Sequence, residues 1–153
     1  MLNGVRGIGR PGIGLYGGHP YSALENPMGC VATLEGEVLQ VRTVRAGEVV
    51  GYGASYTIER DATIAVVGIG YADGVPRALS NQGEAFYGDK RLSIVGHVSM
   101  DLTHLDVTGI DIEPGDWVEF LGATITIDEV AAWANTISYE ILTGVGDRVE
   151  RKY

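Results

Sequence analysis

A chain of 153 residues is about one domain long and can bury a core of its own, and 45% apolar residues exclude a disordered tract. A net charge of −9 disfavours non-specific binding to nucleic-acid phosphates. No apolar run approaches a membrane span and no basic segment leads into an apolar one, so the expectation is a soluble, cytoplasmic protein.

The single Cys30 rules out an internal disulfide, and His19, His97 and His104 form no spaced pair with it, so no metal site is expected. Residues 1 to about 20 are rich in glycine. Gly7-Ile8-Gly9-Arg10-Pro11-Gly12 formally matches GxGxxG, but only six residues precede it and Pro11 sits where a helix would have to open. A dinucleotide fold is therefore rejected. His19 to Pro27 reads as a connecting loop. Strands are expected over Cys30–Leu34 and Glu37–Val44, with turn chemistry at Arg45-Ala46-Gly47-Glu48.

Next comes Tyr52 between Gly51 and Gly53, then Ser55–Ile58 and Thr63–Val67 read as a strand pair turning at Glu59-Arg60-Asp61. At its far end stands a second glycine-flanked tyrosine, Tyr71, in Gly70-Tyr71-Ala72-Asp73-Gly74. Such tyrosines often end strands with the ring buried and the hydroxyl wet, and nothing in the spacing alone assigns them a function. Asp73 to Glu84 is expected to be irregular, followed by a hairpin at Tyr87-Gly88-Asp89-Lys90. Alternation from Arg91 to Val107 predicts a long strand bent at Gly96. Glu113-Pro114-Gly115-Asp116 is a turn and Trp117–Leu121 a strand. Thr126-Ile127-Asp128-Glu129 has the form of a capping box before one short helix, and Ser138–Thr143 forms another that stops at Gly144. The charged tail Asp147–Lys152 reads as a final strand. Short strands at this spacing predict a mainly β fold, a barrel or sandwich, with one or two short helices near the C-terminus.

Taken in order, Arg10-Pro11-Gly12-Ile13-Gly14-Leu15-Tyr16-Gly17, Gly51-Tyr52-Gly53, Gly70-Tyr71-Ala72-Asp73-Gly74, Ser99-Met100-Asp101, Asp106-Val107-Thr108 and Thr136-Ile137-Ser138-Tyr139-Glu140 resemble the C-terminal part of the alanine racemases. That family consists of fold-type III pyridoxal 5'-phosphate enzymes with an N-terminal (β/α)8 barrel and a C-terminal β domain. The resemblance implies that residues 1–28 are a remnant of the last barrel unit and residues 29–153 the β domain. It also implies that the cofactor-bearing lysine lies in the missing N-terminal barrel, since Lys90 falls in an exposed hairpin and Lys152 is next to last. This polypeptide alone is then expected to be inactive, with residues 1–28 frayed or borrowed by a neighbour.

Racemisation removes a proton from one face of an α-carbon and delivers one to the other, so two groups must flank the substrate, here alanine. The resemblance makes Tyr52 one of them and the absent lysine the other. A free tyrosine titrates near about 10, so nearby cations must assist it. Arg10 would face the cofactor's pyridine nitrogen. A guanidinium donates but does not give up its proton, which leaves that nitrogen unprotonated and discourages side reactions. Backbone N–H groups of Gly12 and Ile13 would cradle the phosphate, with Tyr139 bonding to it. Tyr139 is also readable as a core aromatic of its helix, and both readings can hold together. Met100 would offer its backbone N–H to the substrate carboxylate, Tyr71 would line the entrance, and Asp101 would support the shape of the site. The family is homodimeric, so Tyr52, Tyr71, Met100 and Asp101 would serve the partner's cofactor, while Arg10, Gly12, Ile13 and Tyr139 would serve their own.

Two positions depart from the family pattern: His97 stands where arginine is usual, and Asp147-Arg148 replaces a more basic pair. Neither is expected to touch a catalytic position. The rival readings are the β domain of a related amino-acid decarboxylase and a non-catalytic β-barrel binding module, for which Glu113–Val118 would be suited.

Overall fold

Strand β1 (Leu34–Val44) is the spine of the molecule, because it pairs along one half with β8 (Trp117–Leu121) and along the other with β4 (Ala62–Val67). The computed structural model describes residue 10, residues 12–20 and residues 25–153. In its first half β1 alternates strictly, Leu34, Gly36 and Val38 inward against Glu35 and Glu37 outward, the period of a strand with one buried face. Gly36 is required there, since a Cβ would lie 2.7 Å from Val67 Cγ1 and Ile69 Cγ2. Between Val38 and Gln40 the register with β4 slips, leaving Leu39 as the extra, exposed residue of a bulge.

Six antiparallel strands run in the order β6 (Lys90–Ser93), β5 (Glu84–Tyr87), β8, β1, β4 and β7 (Thr103–Asp106). The two outer strands then meet. Ile94 bridges to Leu105, and the Val95 N–H donates to the His104 carbonyl at 2.9 Å, so the sheet closes on itself as a barrel. Inside lies one continuous core that includes Val38, Ala65, Val67, Leu92, Leu105, Val118 and Phe120. Helices α1 (Ile127–Trp133) and α2 (Ser138–Gly144) cover one end. The expected capping box forms at Thr126 and Glu129, and Val130 and Ile141 enter the core.

Several expectations are met closely: the hairpin at Gly88-Asp89, the turn at 113–116, the strand Trp117–Leu121 and both helices. Four are corrected. The segment Ser55–Ile58 does not pair with Thr63–Val67. Its strand β3 (Tyr56–Thr57) folds back on β2 (Val49–Val50), because Gly51, Gly53 and Ala54 all take positive φ and reverse the chain there. Cys30–Thr33 carries no ladder, and the strand starts only at Leu34. The long strand from Arg91 to Val107 is two strands with a loop between them. Its bend at Gly96 (φ 78°) leads into backbone whose N–H groups are captured by side chains rather than by a neighbouring strand. The tail is not a strand, since its arginines turn to carboxylates of their own surroundings.

Candidate functional site

The two-stranded hairpin β2–β3 presents Tyr52 at its tip, with 78% of the residue exposed. Beneath it lies a small separate core of Val44, Val50, Ile58, Ala62, Ile64 and Val95, with Tyr56 against it. Gly51 lies so close to Gly96 that a Cβ on it would stand 3.1 Å from the Gly96 Cα. The Ser55 hydroxyl accepts from the His97 N–H at 2.9 Å. The tyrosine loop is thereby fastened to the segment that leads to Met100.

That segment is held by two more polar side chains. Asn81, itself in a left-handed conformation, accepts from the Gly96 N–H at 2.6 Å, and the Ser80 hydroxyl accepts from the Val98 N–H at 3.0 Å. Three successive backbone donors thus point at side chains from elsewhere in the fold. Ser99 then folds a turn, with its hydroxyl and N–H both donating to the Leu102 carbonyl. The Met100 N–H meets no acceptor among the described residues, and Met100 is half exposed. A backbone donor in that state is available to an anionic ligand.

The Gly70–Gly74 turn lies against the same loop. Tyr71 N–H donates to the Ser99 carbonyl at 3.0 Å and Ala72 N–H to the Met100 carbonyl at 3.1 Å. Gly70 has no room for a Cβ between those carbonyls. Asp73 closes the turn by accepting from the Gly70 N–H, and buried Thr103 donates to the Ile69 carbonyl just before it. Three loops bearing Tyr52, Tyr71 and Met100-Asp101 are therefore joined in series along one rim. A cleft of about 290 Å³ opens between Tyr71 and α2, lined also by Arg77 and Glu140.

The other predicted residues gather at α2. Gly12 begins a 3-10 turn (Gly12–Tyr16) with φ 58°, and a Cβ there would run into the Tyr139 hydroxyl. Tyr139 is half exposed on α2, not a buried core aromatic. Asp128 links the two elements, accepting from the His19 N–H at 2.9 Å and from the Ser138 hydroxyl at 2.6 Å, while Gly18 N–H returns to the Ile13 carbonyl. Residues 12–20 thus lie against the domain rather than fraying from it, and Arg10 is exposed beside them. Residues 1–9, 11 and 21–24 of the expected barrel remnant fall outside the described residues.

Arg148 has a place at this rim that its departure from the family pattern does not announce. It touches a predicted site residue, with Nη2 2.6 Å from Asp101 Oδ1 and Nε 3.3 Å from Asp73 Oδ1. Sequence reasoning also missed Ser55, Ser80, Asn81 and Asp128. In the sequence Ser80 and Asn81 are ordinary loop residues, and no spacing rule pairs residue 81 with residue 96. Among the described residues, no group of three or more His, Cys, Asp and Glu side chains is arranged to hold a metal ion. No helix among them is long and apolar enough to cross a membrane.

The arrangement can be set beside known proteins. Residues 31–153 match the family model described as alanine racemase, C-terminal domain. A catabolic alanine racemase of Rhizobium johnstonii is 48% identical over 149 residues, which is 95% of this chain and 40% of that enzyme. The crystal structure of alanine racemase from Bartonella henselae with covalently bound pyridoxal phosphate superposes with a TM-score of 0.87 at 44% identity, covering 93% of this chain and 40% of that one. The biosynthetic alanine racemase of Pseudomonas aeruginosa gives the same TM-score at 39% identity, covering 93% of this chain and 41% of its own. This chain therefore spans about two fifths of the length of the relatives it matches. The agreement runs through the barrel, both helices and most of the chain's length, and on that ground the chain belongs to the alanine racemase family and carries its C-terminal domain.

Proposed function

We propose that this domain is the substrate-side part of a pyridoxal 5'-phosphate-dependent alanine racemase that interconverts L- and D-alanine in the cytoplasm as a homodimer. The observation that carries the reading is the serial joining of the Tyr52, Tyr71 and Met100 loops along one exposed rim. A rim built this way fits a site completed by a second body, since its functional groups face solvent from their own chain. The decarboxylase and the free-standing binding module are less well supported, because the family match and its identity run along nearly the whole chain.

The residues present also fit the cofactor. Gly12, having no side chain, lets the Tyr139 hydroxyl close against the backbone of the 3-10 turn, and a hydroxyl beside backbone N–H groups suits a small anionic group. Gly12, Ile13 and Tyr139 would hold the phosphate and Arg10 the ring nitrogen. Pyridoxal 5'-phosphate, when bound, supplies the electron-withdrawing ring that makes the α-proton of alanine acidic.

Tyr52 takes up or returns the α-proton at its phenolic oxygen on one face, and a lysine from the barrel domain acts on the other. The Met100 N–H donates to the substrate carboxylate and fixes the α-carbon between the two bases. Tyr71 narrows the entrance, and Asp101 shapes the rim beside Met100. Residues 1–28 belong with the barrel and residues 29–153 form the β domain. The rim serves the cofactor of the partner subunit, and the Gly12–Tyr139 pair serves its own.

The test is complementation. This chain, mixed with or joined to the barrel domain, should racemise alanine, and Tyr52→Phe should lower kcat by about 100-fold or more. Native turnover in Tyr52→Phe, or racemisation by the 153 residues alone with added cofactor, would overturn the reading.

A further inference from the structure

The C-terminal segment leaves α2 and passes beneath the Tyr71 turn. Gly74 (φ 116°) has Val145 Cα 3.0 Å from the place a Cβ would occupy, and Gly146 lies against the Ala72 carbonyl. This brings Arg148 to a point where two acidic residues from different loops converge. Asp73 is well covered, with its side chain 14% exposed, and one of its oxygens already caps the Gly70 N–H. Asp101 is 57% exposed and, among the described residues, Arg148 is its ion-pair partner. Asp101 follows Met100 in the chain, and Asp73 follows Ala72, whose N–H donates to the Met100 carbonyl, while the Met100 N–H meets no acceptor among the described residues.

A guanidinium is a planar fork that can serve two carboxylates at once, which an ammonium does less well. Without it, two negative charges would stand uncompensated beside the Met100 donor, in a chain whose net charge is already −9. We infer that Arg148 is a positioning residue for substrate binding: it ties Asp73 and Asp101 into one charge-compensated unit, so that the Met100 N–H meets a carboxylate substrate without competing negative charge. This rests on the proposal that the rim receives alanine, and deepens it by naming what keeps the rim receptive to an anion.

The experiment uses the whole racemase carrying this domain. Arg148→Met should raise KM for alanine about three- to fivefold, the scale of an exposed ion pair, with a smaller change in kcat. The inhibition constant of acetate, a carboxylate without an amine, should rise in parallel. Because the effect is one of charge, 0.5 M salt should shrink it. Adding Asp101→Asn to Arg148→Met should recover part of the lost affinity, and Arg148→Lys should lie between native and Met. A purely structural role predicts a defect indifferent to salt and made worse by the second substitution. That outcome, or an unchanged KM in Arg148→Met, overturns the inference. If Arg148→Met does not fold, the salt dependence of KM and of acetate inhibition in Arg148→Lys decides by the same criterion. Absence of alanine racemisation by the native enzyme would instead be a failure of the functional reading.

Discussion

The barrel core and the small core under Tyr52 are built from the same kinds of side chain but on different scales. The first is continuous from β1 through both helices and encloses Phe120, Leu92, Ile94 and Leu105 almost completely. The second is six residues beneath a hairpin of two-residue strands. A two-stranded hairpin is marginal by itself. Its tip is therefore held less by ladder bonds than by contact with Gly96 and by the Ser55 hydroxyl. The contrast teaches that the fold and the placement of Tyr52 rest on separable supports, so that substitutions can weaken one and spare the other.

The largest effect should come from the barrel. Phe120→Ala should cost about 3 to 5 kcal/mol in urea unfolding and loosen the entire domain. Ile58→Ala, in the small core, should cost about 2 kcal/mol, near the lower end of such truncations. Its signature is local: amide exchange of Tyr56 and Ile58 should accelerate more than that of β1 or β8. Equal acceleration throughout would erase the distinction between the two cores.

Glycine substitutions sharpen it further. Gly51 and Gly53 both take positive φ, but a Cβ on Gly51 would press on Ser55 Oγ and the Gly96 Cα, while one on Gly53 meets open space. Gly53→Ala should cost about 1 kcal/mol through backbone strain alone, and Gly51→Ala about 2 kcal/mol or more. In the whole enzyme Gly51→Ala should also lower turnover more than Gly53→Ala, because it pushes the tyrosine loop away from residues 96 and 97.

The smallest effect concerns pH. The imidazole of His104, on β7, is partly buried, and its Nδ1 has no partner among the described residues. Burial, with a smaller contribution from the Arg42 charge, lowers its pKa below the ordinary 6.5. The unfolded chain then takes up a proton that the native state resists. Stability should decline as pH falls through 6.5 toward the lower native value, and be fully present above it. His104→Gln should flatten that part of the profile when urea midpoints are compared between pH 7.5 and 5, and an unchanged slope would show that His104 does not contribute.

Local chemistry was legible in the sequence where one short stretch determines the outcome. The capping box at Thr126, the turn at Glu113–Asp116 and the hairpin at Gly88 each carry their own cause within four residues. Partner choice was not legible in the same way. Val49-Val50 is too short to show alternation, so nothing in the sequence marks it as the neighbour of β3. The alternation of residues 91–107 continued through residues that point at Ser55, Ser80 and Asn81, because apolar spacing does not register side-chain capture of backbone donors. For the candidate site, the motif order names Tyr52, Tyr71, Met100, Asp101 and Tyr139 as candidates. Contacts across dozens of residues, such as Arg148 to Asp73 and Asp101, have no local pattern from which to be read.

The bridge from Ile94 to Leu105 closes the barrel, and the chain between those two residues is the loop that bears Met100 and Asp101. Sealing the sheet and setting the rim are consequently one event. A domain with this seam open would expose the unpaired edges of β6 and β7 to other chains while releasing both ends of the loop proposed to meet the substrate. Loss of affinity and a tendency to self-associate would then appear together, and a variant that shows one without the other must act somewhere other than at the seam.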